Sequence, residues 1–216
     1  ATATEICEGE TVVLTANTTG WAEGTITYQW RGQNGTFQGG YQGGNDYATV
    51  TVAPTQSGWY SVTSTTTQGA HRVDSIYIIV NHAPVMNNVA SNVNSICQGG
   101  QITFTANLGF RSVAAQSYTW YKDGVEIPGE NIRNITVDFA DYGTYRLAAS
   151  ATSEYGCVSN ISEDKQVTVY SAPSNVYITG QNIIAEGTST DLTAHATYVG
   201  PGNGNITYAW NGSNDF

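Results

Sequence analysis

The side chains that could do chemistry in this chain are few: three cysteines (Cys7, Cys97, Cys157), three histidines (His71, His82, His195) and 17 Asp plus Glu. A structural zinc site needs thiolates and imidazoles at short paired spacings, and these six residues have none. No G-x-S-x-G elbow, H-E-x-x-H helix or paired-carboxylate signature is present, so the sequence points away from catalysis and calls for no cofactor. Calcium at a domain joint would need carboxylates there. Asn81-His82-Ala83-Pro84 and Ser171-Ala172-Pro173 offer none, and no metal site is expected. The Gly-rich stretch from Gly35 to Tyr47 lacks the Lys and the following helix of a phosphate loop, and reads as a surface connection. Its Tyr41 and Tyr47, together with Trp21 and Trp59, are the candidates for contact with a sugar or a protein ligand.

Composition sets the kind of scaffold that must carry these residues. The 216 residues include 24 Gly, 14 Tyr and one Met, with abundant Thr, Val, Asn and Ser, which suits strands and polar turns and suits long helices badly. Seven Lys plus Arg leave a net charge of -10, so nucleic acid and anionic membrane surfaces are poor partners. The longest strongly apolar run, Ile76 to Val80, has the length of a strand and not of a membrane span, and direct insertion into a bilayer is not expected.

The sequence repeats. Cys7-Glu8-Gly9-Glu10-Thr11-Val12-Val13-Leu14-Thr15-Ala16-Asn17 returns as Cys97-Gln98-Gly99-Gly100-Gln101-Ile102-Thr103-Phe104-Thr105-Ala106-Asn107, and a third time as Glu186-Gly187-Thr188-Ser189-Thr190-Asp191-Leu192-Thr193-Ala194. Ile26-Thr27-Tyr28-Gln29-Trp30 is followed in the same rhythm by Ser117-Tyr118-Thr119-Trp120 and Ile206-Thr207-Tyr208-Ala209-Trp210. Ala-Pro closes a Val-rich strand at Ala83-Pro84 and Ala172-Pro173, which places domains at 1–82, 83–172 and 173–216. Within each repeat, alternation puts Val12, Leu14 and Ala16, then Ile102, Phe104 and Ala106, on a core face.

Asp141-Tyr142-Gly143-Thr144-Tyr145-Arg146-Leu147, and more weakly Gln56-Ser57-Gly58-Trp59-Tyr60-Ser61-Val62, resemble the D-x-G-x-Y-x-C stretch of immunoglobulin domains. The resemblance implies an all-β chain of tandem immunoglobulin-like sandwiches, two complete and a third truncated or completed by strands of another molecule. It makes Tyr60 and Tyr145 tyrosine corners, and Trp30, Trp120 and Trp210 the buried strand-C tryptophans. Where antibody domains carry the inter-sheet disulfide, this chain offers Ala16 with Val62 and Ala106 with Leu147, so apolar packing replaces the bridge. Trp59, next to the inward Tyr60, is turned outward by alternation and is expected to cover a neighbouring strand.

The cysteine positions are similar to those in immunoglobulin-like repeats of large bacterial surface proteins, including gliding-motility-type adhesins exported by the type IX pathway. In that pattern an early Cys-x-Gly pairs with a late turn cysteine of the same domain, which implies a Cys97–Cys157 disulfide. Gly69-Ala70 stands in repeat one where Gly156-Cys157 stands in repeat two, leaving Cys7 as a free thiol or one paired outside the segment. The resemblance implies an exported, cell-surface, non-catalytic stalk whose partners are its own neighbouring repeats, with loops available for a surface glycan or protein ligand. A carbohydrate-binding module of a secreted protein is the alternative, and a eukaryotic adhesion receptor is disfavoured by the missing inter-sheet cysteines.

Overall fold

A computed structural model describes residues 1–19, 26–32, 35–36, 48–202 and 204–212, and every regular element among them is a strand. In chain order these are β1 (Glu5–Cys7), β2 (Val12–Thr15), β3 (Ile26–Gly32), β4 (Gly35–Thr36), β5 (Thr49–Val52), β6 (Gly58–Thr66) and β7 (His71–Asn81). There follow β8 (Met86–Ser91), β9 (Ser95–Cys97), β10 (Gln101–Leu108), β11 (Ser117–Lys122), β12 (Val125–Glu126), β13 (Asn134–Asp138), β14 (Gly143–Thr152) and β15 (Lys165–Tyr170). The last two are β16 (Ser174–Gly180) and β17 (Leu192–Thr197). The architecture is all-β and immunoglobulin-like. The chain divides into two compact units, residues 1–85 with 111–116 and 151–159, and residues 86–110 with 117–150 and 160–216.

In the first unit a five-stranded sheet of order β1-β7-β6-β3-β4 faces the pair β2-β5. Alternation dictates the faces: Val12 and Leu14 from β2 and Val52 from β5 pack with Ile6, Trp30, Tyr60, Ile78 and Val80 from the larger sheet. Ala16 and Val62, at the place of the missing inter-sheet bridge, pack half-buried against the same cluster.

The second unit repeats the plan with a five-stranded sheet, β12-β11-β14-β15-β9, and a three-stranded one, β13-β10-β8. Ile102, Phe104 and Ala106 on β10 are fully buried, as are Trp120, Leu147 and Val169 of the other sheet. Burying a ring as large as that of Trp120 would strand its N–H, and the Ile132 carbonyl accepts it at 2.9 Å. Both larger sheets are closed by a parallel pairing of an early strand with the last one: Cys7 lies opposite Asn81 and Cys97 opposite Tyr170.

The same unit holds the pair β16-β17, joined antiparallel from Gly180 opposite Leu192 to Ser174 opposite Thr197. Trp210 departs from expectation here. It is 44% exposed, because among the described residues no second sheet lies over β16-β17, and Leu192 is exposed with it.

Candidate functional site

The covalent feature of the molecule is a disulfide between Cys7 and Cys157, with Cα atoms 5.6 Å apart. It corrects two expectations together. Cys157 does not pair with Cys97, which is an exposed free thiol, and Cys7 is neither free nor paired outside the chain.

Strand geometry explains the difference. Gly143 pairs with Val169, so Cys97, beside Tyr170, lies at the Gly143 end of β14, whereas Cys157 follows the Thr152 end. A ten-residue strand runs roughly 30 Å, and a disulfide needs Cα atoms within about 7 Å.

Each cysteine is held by local backbone chemistry. Cys7 ends β1 and opens a tight turn in which the Glu10 N–H donates to the Cys7 carbonyl at 3.1 Å. Gly9 takes φ +92° there, a conformation that favours glycine. The Cys7 N–H donates to Glu10 Oε2 at 2.8 Å. Cys157 sits in a hairpin turn where the Ser153 N–H donates to the Cys157 carbonyl at 2.9 Å and the Gly156 N–H to the Ser153 carbonyl at 3.1 Å. The Cys157 N–H donates in turn to the Ser153 hydroxyl at 3.2 Å.

Ser153 and Cys157 are both buried, and Cys157 Sγ lies 3.7 Å from the Asn81 carbonyl oxygen. Around them Asn81 Nδ2 donates to Glu5 Oε1 and His82 Nδ1 meets Glu8 Oε2, each at 2.8 Å. Bridging residues 150 apart should stabilise the fold by on the order of 5 kcal/mol in the chain-entropy model.

Beside the bond lies an open cleft of about 470 Å³, lined among others by Val80, His82, Val113, Gln116, Glu154 and Tyr155. Its hydrogen bond to Glu154 is the main cause raising the Tyr155 phenol above its ordinary 10.0, with the Glu154 charge adding to it. Among the described residues no group of three or more His, Cys, Asp or Glu could hold a metal ion.

The aromatic candidates separate into core and surface. Trp30, Tyr60 and Trp120 are buried. Tyr145 completes a corner, its hydroxyl donating to the Asp141 carbonyl at 3.0 Å. Lys122 Nζ stands 4.3 Å from the centre of the Tyr145 ring and 4.7 Å from that of Phe139. Trp59 points outward and is 62% exposed, its ring meeting Tyr77 of the neighbouring strand edge-on at 5.3 Å. Trp21, Tyr41 and Tyr47 lie outside the described residues.

Sequence reasoning missed the junction between Cys7 and Cys157. A signal existed, since repeat one has an early cysteine and no late one, and Cys157 is the only late cysteine present.

No family model matches the chain, and no curated protein does. Solved structures resemble it in fold at low identity. The fibronectin(III)-like modules of CbhA from Clostridium thermocellum are 10% identical over 78% of this chain and 90% of theirs, with a TM-score of 0.44. A set of titin domains is 15% identical over 77% of this chain and 62% of that one, at 0.44. A Ca2+-stabilized adhesin by which an Antarctic bacterium binds ice is 16% identical over 84% of this chain and 50% of that one, at 0.46.

Proposed function

We propose that this chain is a non-catalytic, load-bearing stalk segment of an exported cell-surface protein, with immunoglobulin-like domains at 1–82, 83–172 and 173–216. The observation that carries the reading is the Cys7–Cys157 bond, which ties the first strand of one repeat to the late turn of the next. Such a bond persists in an oxidising, extracytoplasmic compartment. Force applied to the two ends of the chain passes from Cys7 directly to Cys157 and bypasses the residues between them. The finer assignment to a gliding-motility-type adhesin exported by the type IX pathway rests on the sequence resemblance.

Pulling single molecules by their ends tests the stalk. A separation of 150 residues corresponds to roughly 500 Å of extended chain, which should be released only after reduction or in Cys7→Ser. An oxidised chain that yields the same extension as the reduced one sinks the load-bearing reading.

One observation favours carbohydrate binding as a second role. Trp59 and Tyr77 form an exposed aromatic pair on an outward sheet face with Ser61 and Ser75 beside them in the ladder. Aromatic faces stack on sugars, and flanking hydroxyls can hydrogen-bond them. Titration with soluble polysaccharides should then shift the tryptophan fluorescence of the native chain but not of Trp59→Ala. Equal responses from both remove this role.

A further inference from the structure

The outward face of the larger sheet in the first unit carries an aromatic pair that the fold itself does not require. Tyr60, Val62, Ile76 and Ile78 turn inward to the core, so alternation sends Trp59 and Ser61 of β6 outward, with Tyr77 and Ser75 opposite them on β7. In the second unit the position beside the corner tyrosine is Thr144, opposite Thr168, and the sandwich forms all the same. The exposed rings of Trp59 and Tyr77 meet at 5.3 Å with their planes 70° apart. They make a corner, one ring as floor and the other as wall, and a sugar ring entering it takes apolar surface of both out of water.

The row next to this corner supplies a cation. Trp30 is buried, which turns Arg31 to the outward side of β3, where it lies opposite Ser61, itself opposite Ser75. Trp59 is two residues from Ser61 and is therefore the diagonal neighbour of Arg31, at a backbone distance of about 7–8 Å that a long side chain spans. The second unit differs here as well. Arg146 follows its corner tyrosine where Ser61 follows Tyr60, and Asp164 partners the Arg146 guanidinium at 3.7 Å. On the β6 side of Arg31 the row offers the hydroxyls of Ser61 and Ser75 instead of a carboxylate.

Charge sets this face apart from the rest of the chain. Asp plus Glu number 17 against 7 Lys plus Arg, yet the described outward positions of β3, β6 and β7 hold no carboxylate. Those on the same sheet lie elsewhere: Glu5 is on β1, where it accepts from Asn81 Nδ2 at 2.8 Å, and Asp74, opposite Val62, alternates to the other face.

We propose that the outward face of β3, β6 and β7 binds a carboxylate-bearing glycan, a uronic-acid polymer, with one sugar in the Trp59–Tyr77 corner and the carboxylate of that sugar or its neighbour on Arg31. The proposal rests on the carbohydrate-binding role above and names its ligand class. The planar guanidinium donates two parallel N–H bonds to a carboxylate, and the serine hydroxyls can bond those of the sugar. One cation suffices because stacking supplies the remaining contact, whereas the dense phosphates of nucleic acid call for clustered Lys and Arg. Repulsion from the chain's distant acids is screened beyond about 8 Å at physiological ionic strength, and a contact pair closed against a sugar ring is screened less.

The test titrates the 216-residue chain with polygalacturonate, alginate and hyaluronate, each beside its own methyl ester, which keeps the backbone and removes the charge. Tryptophan fluorescence and retardation in affinity gels read the binding. At least one free acid should bind about tenfold or more tightly than its ester, as a charge-assisted contact implies. Arg31→Gln should abolish that preference while keeping the binding of the ester, Arg31→Lys should restore part of it, and Trp59→Ala should weaken both forms. An unchanged urea midpoint shows that the Arg31 variants are folded.

Acid and ester bound equally in every pair, no acid bound at all, or a preference that survives in Arg31→Gln overturns the proposal. Binding of esters or neutral polysaccharides without the preference leaves the carbohydrate role standing, and silence toward every neutral and acidic polymer removes both.

Discussion

β10 and β17 carry the same alternating pattern, yet Ile102, Phe104 and Ala106 are fully buried while Leu192 is 44% exposed. Both strands have an antiparallel neighbour, β8 for one and β16 for the other. The difference is the facing sheet. β10 is covered by side chains such as Trp120, Leu147 and Val167, whereas β17 belongs to a two-stranded sheet and no residue of it is buried beyond the half-buried Ala194, His195 and Ala196. Pattern decides which face of a strand is apolar, and a second layer decides whether that face stabilises anything.

The most damaging way to probe this contrast is to truncate the matched tryptophans. Trp120→Ala should cost about 3–5 kcal/mol, because it leaves a ring-sized cavity and an unpartnered Ile132 carbonyl. Trp210→Ala should change stability by less than about 0.5 kcal/mol, as expected for an exposed side chain. Urea titration of the two variants reads the difference, and equal losses would mean that the third repeat has a core after all.

This pair of residues also shows where the sequence is legible. Trp30, Trp120 and Trp210 share one motif, and the motif correctly puts the first two inside. It puts Trp210 inside as well, where the side chain is 44% exposed, since burial depends on a facing layer that the motif does not contain. The corner at Tyr145 was readable because its bond to Asp141 spans four residues. The cysteine pairing was not, because spacing along one repeat says nothing about which end of a sandwich each turn occupies. Strand direction supplied that information: the parallel pairing of β9 with β15 puts Cys97 at the far end of β14 from Cys157.

Hydrogen exchange sharpens the comparison at the level of single amides. Those of β10, bonded on both sides to β13 and β8, should exchange only through global unfolding. The amides of β17, paired only with β16, should exchange faster by roughly a hundredfold or more. Protection of β17 that rises with protein concentration would reveal a second copy supplying the missing layer. Equal protection of both strands at high dilution would contradict the contrast.

The smallest expected effect concerns the corner bond of the second repeat. Tyr145→Phe removes the hydroxyl donated to the Asp141 carbonyl and should cost about 0.5–1.5 kcal/mol at neutral pH. The phenol adds a pH signature. Burial, then the charges of Asp141 and Asp123, raise its pKa above the ordinary 10.0 in the folded chain. A folded pKa above the unfolded one means that the folded state holds its proton more tightly, so stability falls as pH rises past the unfolded value. The benefit of Tyr145 over Phe is thus complete below about pH 10 and lost as pH climbs through the folded value. Tyr60 is raised in the same direction by burial but is common to both proteins, and it cancels in the difference. Denaturant midpoints of the wild type and Tyr145→Phe should therefore converge between neutral and strongly alkaline pH, while a constant gap would show that the hydroxyl does not titrate with folding.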